Sequence, residues 1–105
     1  MARLSTRLSG RVDFAAVNRA AMRTLPRLLG RWLPGGRTRG DEYVALNPTR
    51  EDHHLGSFRI NIKTGRWADF ATGDSGGDPI SLFAYLHGLE QIEAARRVAA
   101  MLGVR

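Results

Sequence analysis

Between Asp13 and Leu33 the apolar residues Phe14, Val17, Ala21, Leu25, Leu28 and Trp32 recur in steps of three and four, the spacing that gathers side chains on one helical face. Asp13 stands where an N-cap belongs. Pro26 lacks an amide hydrogen and clashes with the preceding turn, which predicts a kink or two helices, the second capped by Thr24 with Pro26 in its first turn. Gly30 weakens that second helix, and Pro34-Gly35-Gly36 ends it. After a basic turn over residues 37–40 the period changes. Tyr43-Val44-Ala45-Leu46 reads as a strand closed by Asn47-Pro48, and residues 49–56 as a polar loop. Phe58, Ile60 and Ile62 then alternate with Arg59, Asn61 and Lys63, the repeat of a strand with one face buried and a basic face in water. Thr64-Gly65 supplies a turn, and residues 66–70 return antiparallel.

Residues 71–78 hold three glycines in eight positions and read as a loop. Asp78-Pro79 opens a helix whose Ile80, Leu82, Phe83, Ala84, Tyr85 and Leu86 make it apolar nearly all round, hence the most buried element, ended by Gly88. A last helix runs from about Gln91 to Leu102, with Ile92, Ala95, Ala99 and Leu102 inward, Glu93 and Arg97 paired outside, and Gly103 as its C-terminal cap. The pattern defines an α+β fold: a small antiparallel sheet of three or four strands packed with C-terminal helices and preceded by an Arg-rich helical segment. Residues 1–12 read as a flexible basic arm. Residues 13–105 form one domain, helical over 13–34, a sheet over 41–70 and two helices over 78–103.

A chain of 105 residues fits one small domain. With no cysteine, disulfides, thiol catalysis and thiolate zinc sites are excluded, so packing alone must hold the core. No apolar run approaches the roughly 20 residues that cross a bilayer. The first twelve residues lack the hydrophobic segment of a secretory signal, while their acid-free, Arg- and Ser-containing composition has a transit-peptide flavour. Neither a membrane partner nor a cofactor is expected, and the expected location is the bacterial cytoplasm. The net charge of +6 is local: residues 1–40 hold nine arginines against Asp13, and residues 41–105 hold seven basic and nine acidic groups. Such a segment attracts polyanions by screened Coulomb attraction and counterion release, which makes nucleic acid the leading partner. Arg19, Arg23, Arg27 and Arg31 recur every fourth residue, a stripe disfavoured by like-charge repulsion unless an anion lies nearby. A solvated helix face in an Arg-rich protein explains the same stripe.

The glycine loop over residues 73–77 precedes a helix, yet it lacks the Lys-Ser/Thr of a nucleotide loop, and Asp74 and Asp78 would repel phosphate. His53 and His54, beside Glu51 and Asp52, lack a third ligand at helical spacing and read as a solvated loop; His87 reads as a core-edge residue. Asp69, Asp74 and Asp78 could hold a divalent ion through oxygen, which is the enzymatic alternative, but Asp is also the ordinary residue of turns and caps. No triad is legible, and the chain is expected to be non-catalytic by itself. The cluster Arg50, Arg59, Lys63, Arg66 and Trp67 is basic and aromatic. If Trp67 or Tyr43 is only partly covered, it offers a ring on which a base stacks beside phosphate contacts; if both are core residues, the basic groups merely solubilise.

The stretch from Ala45 to Gly88 resembles the N-terminal zinc-ribbon domain of bacterial and phage DNA primases, in the cysteine-poor form found in primase-helicase proteins of mobile elements. Asn47-Pro48-Thr49-Arg50 stands at the family's Cys-Pro-x-His segment, Gly56-Ser57-Phe58 at its Pro-Ser-Phe strand, and Asp69-Phe70-Ala71-Thr72, followed by Gly73, Gly76 and Gly77, at its Cys-x-x-Cys. The four ligand positions have become Asn47, Arg50, Asp69 and Thr72, and an Arg among them argues against a metal. Arg50 could instead pair with Asp69 and tie the two loops. The resemblance implies binding of single-stranded DNA, or RNA, in replication, beside a primase catalytic domain that this chain lacks. Arg50, Arg59, Lys63 and Arg66 would contact phosphates, Trp67 would stack, and Arg19, Arg23, Arg27 and Arg31 would add reach. The alternative is a metal-free interaction module docking on a helicase or primase catalytic subunit through Leu89 and Ile92.

Overall fold

In a computed structural model the described residues are 11–104. The basic arm expected over 1–12 therefore lies, except for Arg11 and Val12, outside them. Helix α1 (Phe14–Arg23) opens on Asp13, whose carboxylate accepts from the Ala16 amide at 3.0 Å. Thr24 ends α1 and begins α2 (Leu25–Trp32), so the chain divides where Pro26 demands it, although the Thr24 side chain makes no cap bond.

The sheet is wider than the sequence pattern suggests. Its strands β1 (Arg37–Arg39), β2 (Glu42–Ala45), β3 (Phe58–Asn61), β4 (Trp67–Asp69) and β5 (Ser75–Gly76) follow sequence order and pair antiparallel throughout. The expected basic turn at 37–40 is thus a strand joined to β2 through Gly40, whose φ of 59° an L side chain resists. It escapes hydrophobic patterning because all three of its residues are exposed. The expected loop at 71–78 likewise contains β5. Gly76 is needed there because any β-carbon would run into the Trp67 indole and the Ser81 hydroxyl. Lys63, expected on the wet face of a strand, lies instead in the turn after β3. Asn61 ends that strand by accepting the Lys63 and Thr64 amides on its side-chain oxygen at 2.8 and 3.0 Å.

Helix α3 (Pro79–His87) starts in a reciprocal box: the Asp78 carboxylate accepts the Ser81 amide at 2.8 Å, while the Ser81 hydroxyl accepts the Asp78 amide at 3.3 Å. Gly88 closes it in the left-handed conformation, as Gly103 closes α4 (Gln91–Leu102). Within α4 the fully buried residues are Ala94, Ala95 and Val98, whereas the expected Ile92, Ala99 and Leu102 are half-buried, so the inward stripe is rotated from the expected one. Two clusters form the interior. Val17, Ala21, Leu28, Ile80, Phe83 and Val98 pack helix on helix, and Leu25, Leu29, Tyr43, Phe58, Ile60 and Leu82 join helices to the inner sheet face. The fold is α+β, and among the described residues it comprises a five-stranded open sheet and four helices. No described helix is long and apolar enough to cross a membrane.

Candidate nucleic-acid interface

Side chains directly opposite on antiparallel strands share a face, so the register sorts the sheet. Tyr43, Ile60, Trp67 and Gly76 align inward. Arg37, Val44, Arg59, Ala68 and Ser75 align outward across all five strands, and Arg39, Glu42 and Asn61 form a second outward row. Val44 is 1% exposed although it faces outward. Arg37 and Arg59 flank it on both neighbouring strands, and their aliphatic stems are long enough to cover it while their guanidinium groups stay wet. Alternation from Ala68 puts Arg66 and Phe70 on this same face.

Phe70 is 72% exposed, the most exposed large apolar side chain among the described residues. The Arg59 guanidinium carbon lies 5.9 Å from the centre of its ring, within the range of a cation–π contact. Arg59 also donates from Nε to the Gly56 carbonyl at 2.6 Å and reaches Glu42 at 3.3 Å. An open groove of about 700 Å³ runs over this surface, lined by Arg59, Arg66 and Phe70 and floored by small residues, Ala68, Ser75 and Gly76.

Two sequence assignments are corrected. Trp67 is 5% exposed: its ring centre lies 4.6 Å from that of Tyr85 and 6.3 Å from that of Phe58, and its indole nitrogen donates to Ser81 at 2.9 Å. Although its edge borders the groove, a ring so covered leaves no room for a base to stack on it. Tyr43 is buried as well and donates to the Leu33 carbonyl at 2.7 Å; burial raises its pKa, against a smaller opposing effect of the Gly36 backbone. Arg50 is the second correction. Its Nε donates to Asp69 Oδ2 at 2.8 Å, Nη2 to Ser57 at 2.9 Å and to Asp69 Oδ1 at 3.3 Å, and Nη1 to the Glu51 carbonyl at 3.0 Å, with Asp52 at 3.3 Å. These bonds use up the fork that a phosphate would need.

Around that fork the polar residues of three segments converge. Asn47, 1% exposed, donates to Asp69 and to the Tyr85 hydroxyl at 2.8 Å each, and its backbone amide donates to Asp52 at 2.8 Å. Tyr85 in turn donates to Asp74 at 2.8 Å and accepts from Thr49 at 3.1 Å. Asp69 is fully buried. Burial alone would push its carboxyl up, but hydrogen bonds from Arg50, Asn47, the Ala71 amide and Ser57 outweigh it and hold the group well below the usual carboxylate range. The Asp69 partnership with Arg50 correspondingly raises the Arg50 pKa. No buried side-chain polar atom among the described residues lacks a partner.

Thr72 stays at the rim, its hydroxyl accepting the Asp74 amide at 3.2 Å. The three aspartates considered for a divalent ion are separately engaged: Asp69 by Arg50, Asp74 by Tyr85, Asp78 as a helix cap. Among the described residues no group of three or more His, Asp or Glu could hold a metal. His53 and His54 are exposed, and His87 stacks on Phe83 at 4.3 Å. Arg19, Arg23, Arg27 and Arg31 are exposed, the first two on α1 and the others on α2, and none joins an ion pair among the described residues. They do not line the sheet groove. Leu89 and Ile92 are half-buried, Leu89 against the helical cluster, and so offer little free apolar surface.

Sequence reasoning missed Phe70, Arg37, Arg39 and Tyr85. Parity was the available signal: neighbours in a strand point oppositely, so Arg66 and Trp67 cannot share a face, and Phe70 belongs with Arg66.

No protein-family model matches the chain, and no curated protein matches its sequence. Among solved structures, the crystal structure of the Aquifex aeolicus primase, comprising zinc-binding and RNA polymerase domains, is similar to it with a TM-score of 0.74 at 20% identity. The match covers 90% of this chain and 22% of the length of that one. The chain thus has a primase-like fold. Zinc does not fit the residues that stand here: an amide and a guanidinium both point N–H groups at the single carboxylate, and a hydroxyl stands at the rim.

Proposed function

We propose that the protein is a non-catalytic nucleic-acid-binding module that holds single-stranded DNA, or RNA, on the outer face of its sheet in a primase-related setting. The observation that carries this reading is the exposed Phe70 ring beside Arg59, on a face that also bears Arg37, Arg39 and Arg66. A base stacks on Phe70 in place of the buried Trp67, the guanidinium groups meet phosphates, and the small-residue floor admits the backbone. A duplex is a poor occupant, because its bases are already stacked and leave none for the ring. Lys63 and the arginines of α1 and α2 add long-range attraction outside the groove.

The test is a titration with a short single-stranded oligonucleotide at two salt concentrations, following backbone amide signals. With Arg37, Arg39, Arg59 and Arg66 each meeting a phosphate, the slope of log affinity against log salt is about −3. The amides that shift are those of β1, β3, β4 and residue 70. Binding that is insensitive to salt, or shifts confined to α4, would replace this reading with that of a protein-docking module.

A further inference from the structure

We infer that Arg50 is a positioning residue, an internal cation that knots the loop after β2 to the end of β4, so that the outer face and Phe70 are assembled without a metal ion. The consequence for ligand binding rests on the reading proposed above; the metal-free assembly does not.

Asn47 and Arg50 come from one loop and Asp69 and Thr72 from another, two pairs each separated by two residues, the layout by which ribbon folds join two loops through a tetrahedral ion. Here a carboxylate and a guanidinium make the junction directly. The fork takes both Asp69 oxygens, at 2.8 and 3.3 Å, and Asn47 adds a third hydrogen bond at 2.8 Å. A planar fork suits this task where a point charge would not, since only the fork can meet both oxygens and Ser57 together.

The same contacts fix the backbone on both sides of Phe70. The Phe70 amide donates to the Ser57 carbonyl at 2.8 Å, and Ser57 accepts from Arg50 through its hydroxyl. The next amide, that of Ala71, donates to Asp69 Oδ1 at 2.9 Å. The Gly73 amide closes the turn on the Asp69 carbonyl at 2.8 Å, and the Asp69 amide donates to the Asp74 carbonyl at 2.8 Å. Asp69 ends β4 pointing in, and Phe70, the next residue, stands out in water. Fixing the first therefore aims the second.

Arg50→Lys keeps the charge and removes the fork. The expected results are displaced Phe70 ring signals in the free protein, a fall in oligonucleotide affinity of about threefold or more, and an unchanged salt slope. Arg59→Ala, in contrast, reduces the magnitude of that slope by about 0.7, the share of one phosphate contact on a single strand. An Arg50→Lys variant with unmoved Phe70 signals and wild-type affinity would show that the Arg50 fork does not position Phe70. Independently of any oligonucleotide, the wild-type melting temperature is expected to be the same with EDTA, with added zinc chloride, and with neither. A shift in either direction beyond measurement error would overturn the metal-free knot. Should wild-type protein bind no oligonucleotide at all, the proposed function falls, while the Phe70 ring signals and the melting comparison still decide the role of Arg50.

Discussion

The two faces of one sheet solve opposite problems with the same alternation. Inward, Phe58, Ile60, Trp67 and Asp69 are sealed beneath α2 and α3, and even the charged member has its lone pairs filled. Outward, Arg37, Arg39, Arg66 and Phe70 stand in water, and the Arg59–Glu42 contact is itself about four-tenths exposed. The inner face therefore carries stability and the outer face carries recognition, with Asp69 and Phe70 as the point where one backbone serves both. Away from that junction and its Arg50 tie, a substitution on one face should leave the property of the other nearly untouched.

The strongest attempt to break that division is on the inner face. Phe58 is wholly buried, and Phe58→Ala is expected to lower stability by about 3–5 kcal/mol in a urea melt. Whatever fraction remains folded should bind oligonucleotide with wild-type affinity. A variant that melts normally but binds weakly would contradict the separation. Asp69→Ala strands the Arg50 fork in a half-buried site and is expected to cost about 3 kcal/mol by the same measurement.

Asp69 also makes the division depend on pH. Its folded-state pKa is lowered, so the bound carboxylate adds stability at pH values above the unfolded value of about 3.9, and that stability drains away as pH falls below it. Wild-type protein should lose stability on acidification through this window more steeply than Asp69→Asn, which has no carboxyl to protonate. Parallel acid melts of the two would remove the carboxylate from the account.

On the outer face, Phe70→Ala should cost about 1–3 kcal/mol of oligonucleotide binding, the range for one stacked base. Its melting should stay within about 0.5 kcal/mol of wild type, because a side chain 72% exposed contributes little to the core. A large loss of stability with unchanged binding would reverse the roles assigned to the two faces.

How far these faces could be read beforehand depended on periodicity. The α1–α2 break at Pro26, the Asp78 cap, the Gly88 and Gly103 stops and the β3–β4 hairpin all rest on local rules, and each stands where the pattern puts it. Strand β1 and strand β5 were illegible because neither carries a buried apolar side chain; they exist by pairing with β2 and β4, which no local pattern announces. The Arg50–Asp69 tie was legible only through the resemblance that sets Asn47, Arg50, Asp69 and Thr72 at a ribbon's four ligand positions, and its extension to Tyr85, sixteen residues beyond Asp69, needed the fold. Trp67 was misplaced because a basic and aromatic cluster says nothing of which side of the strand each member takes.

The smallest effect sharpens the outer face instead of breaking it. Glu42 is the acidic residue in its two outward rows and sits against Arg59, so a phosphate arriving there meets one negative charge and must share a guanidinium with it. At a separation of about 7 Å in water that repulsion is about 0.6 kcal/mol, near threefold in affinity. Glu42→Gln is therefore expected to bind a short oligonucleotide about three times more tightly at low salt, with the gain shrinking as salt screens the charge. The surface ion pair it sacrifices is worth at most about 1 kcal/mol and should show as little or no change in melting. Because the substitution removes a repulsion without adding a contact, tighter binding from it could only mean that the anion lies on this face; equal binding would move the phosphates elsewhere, toward the arginines of α1 and α2.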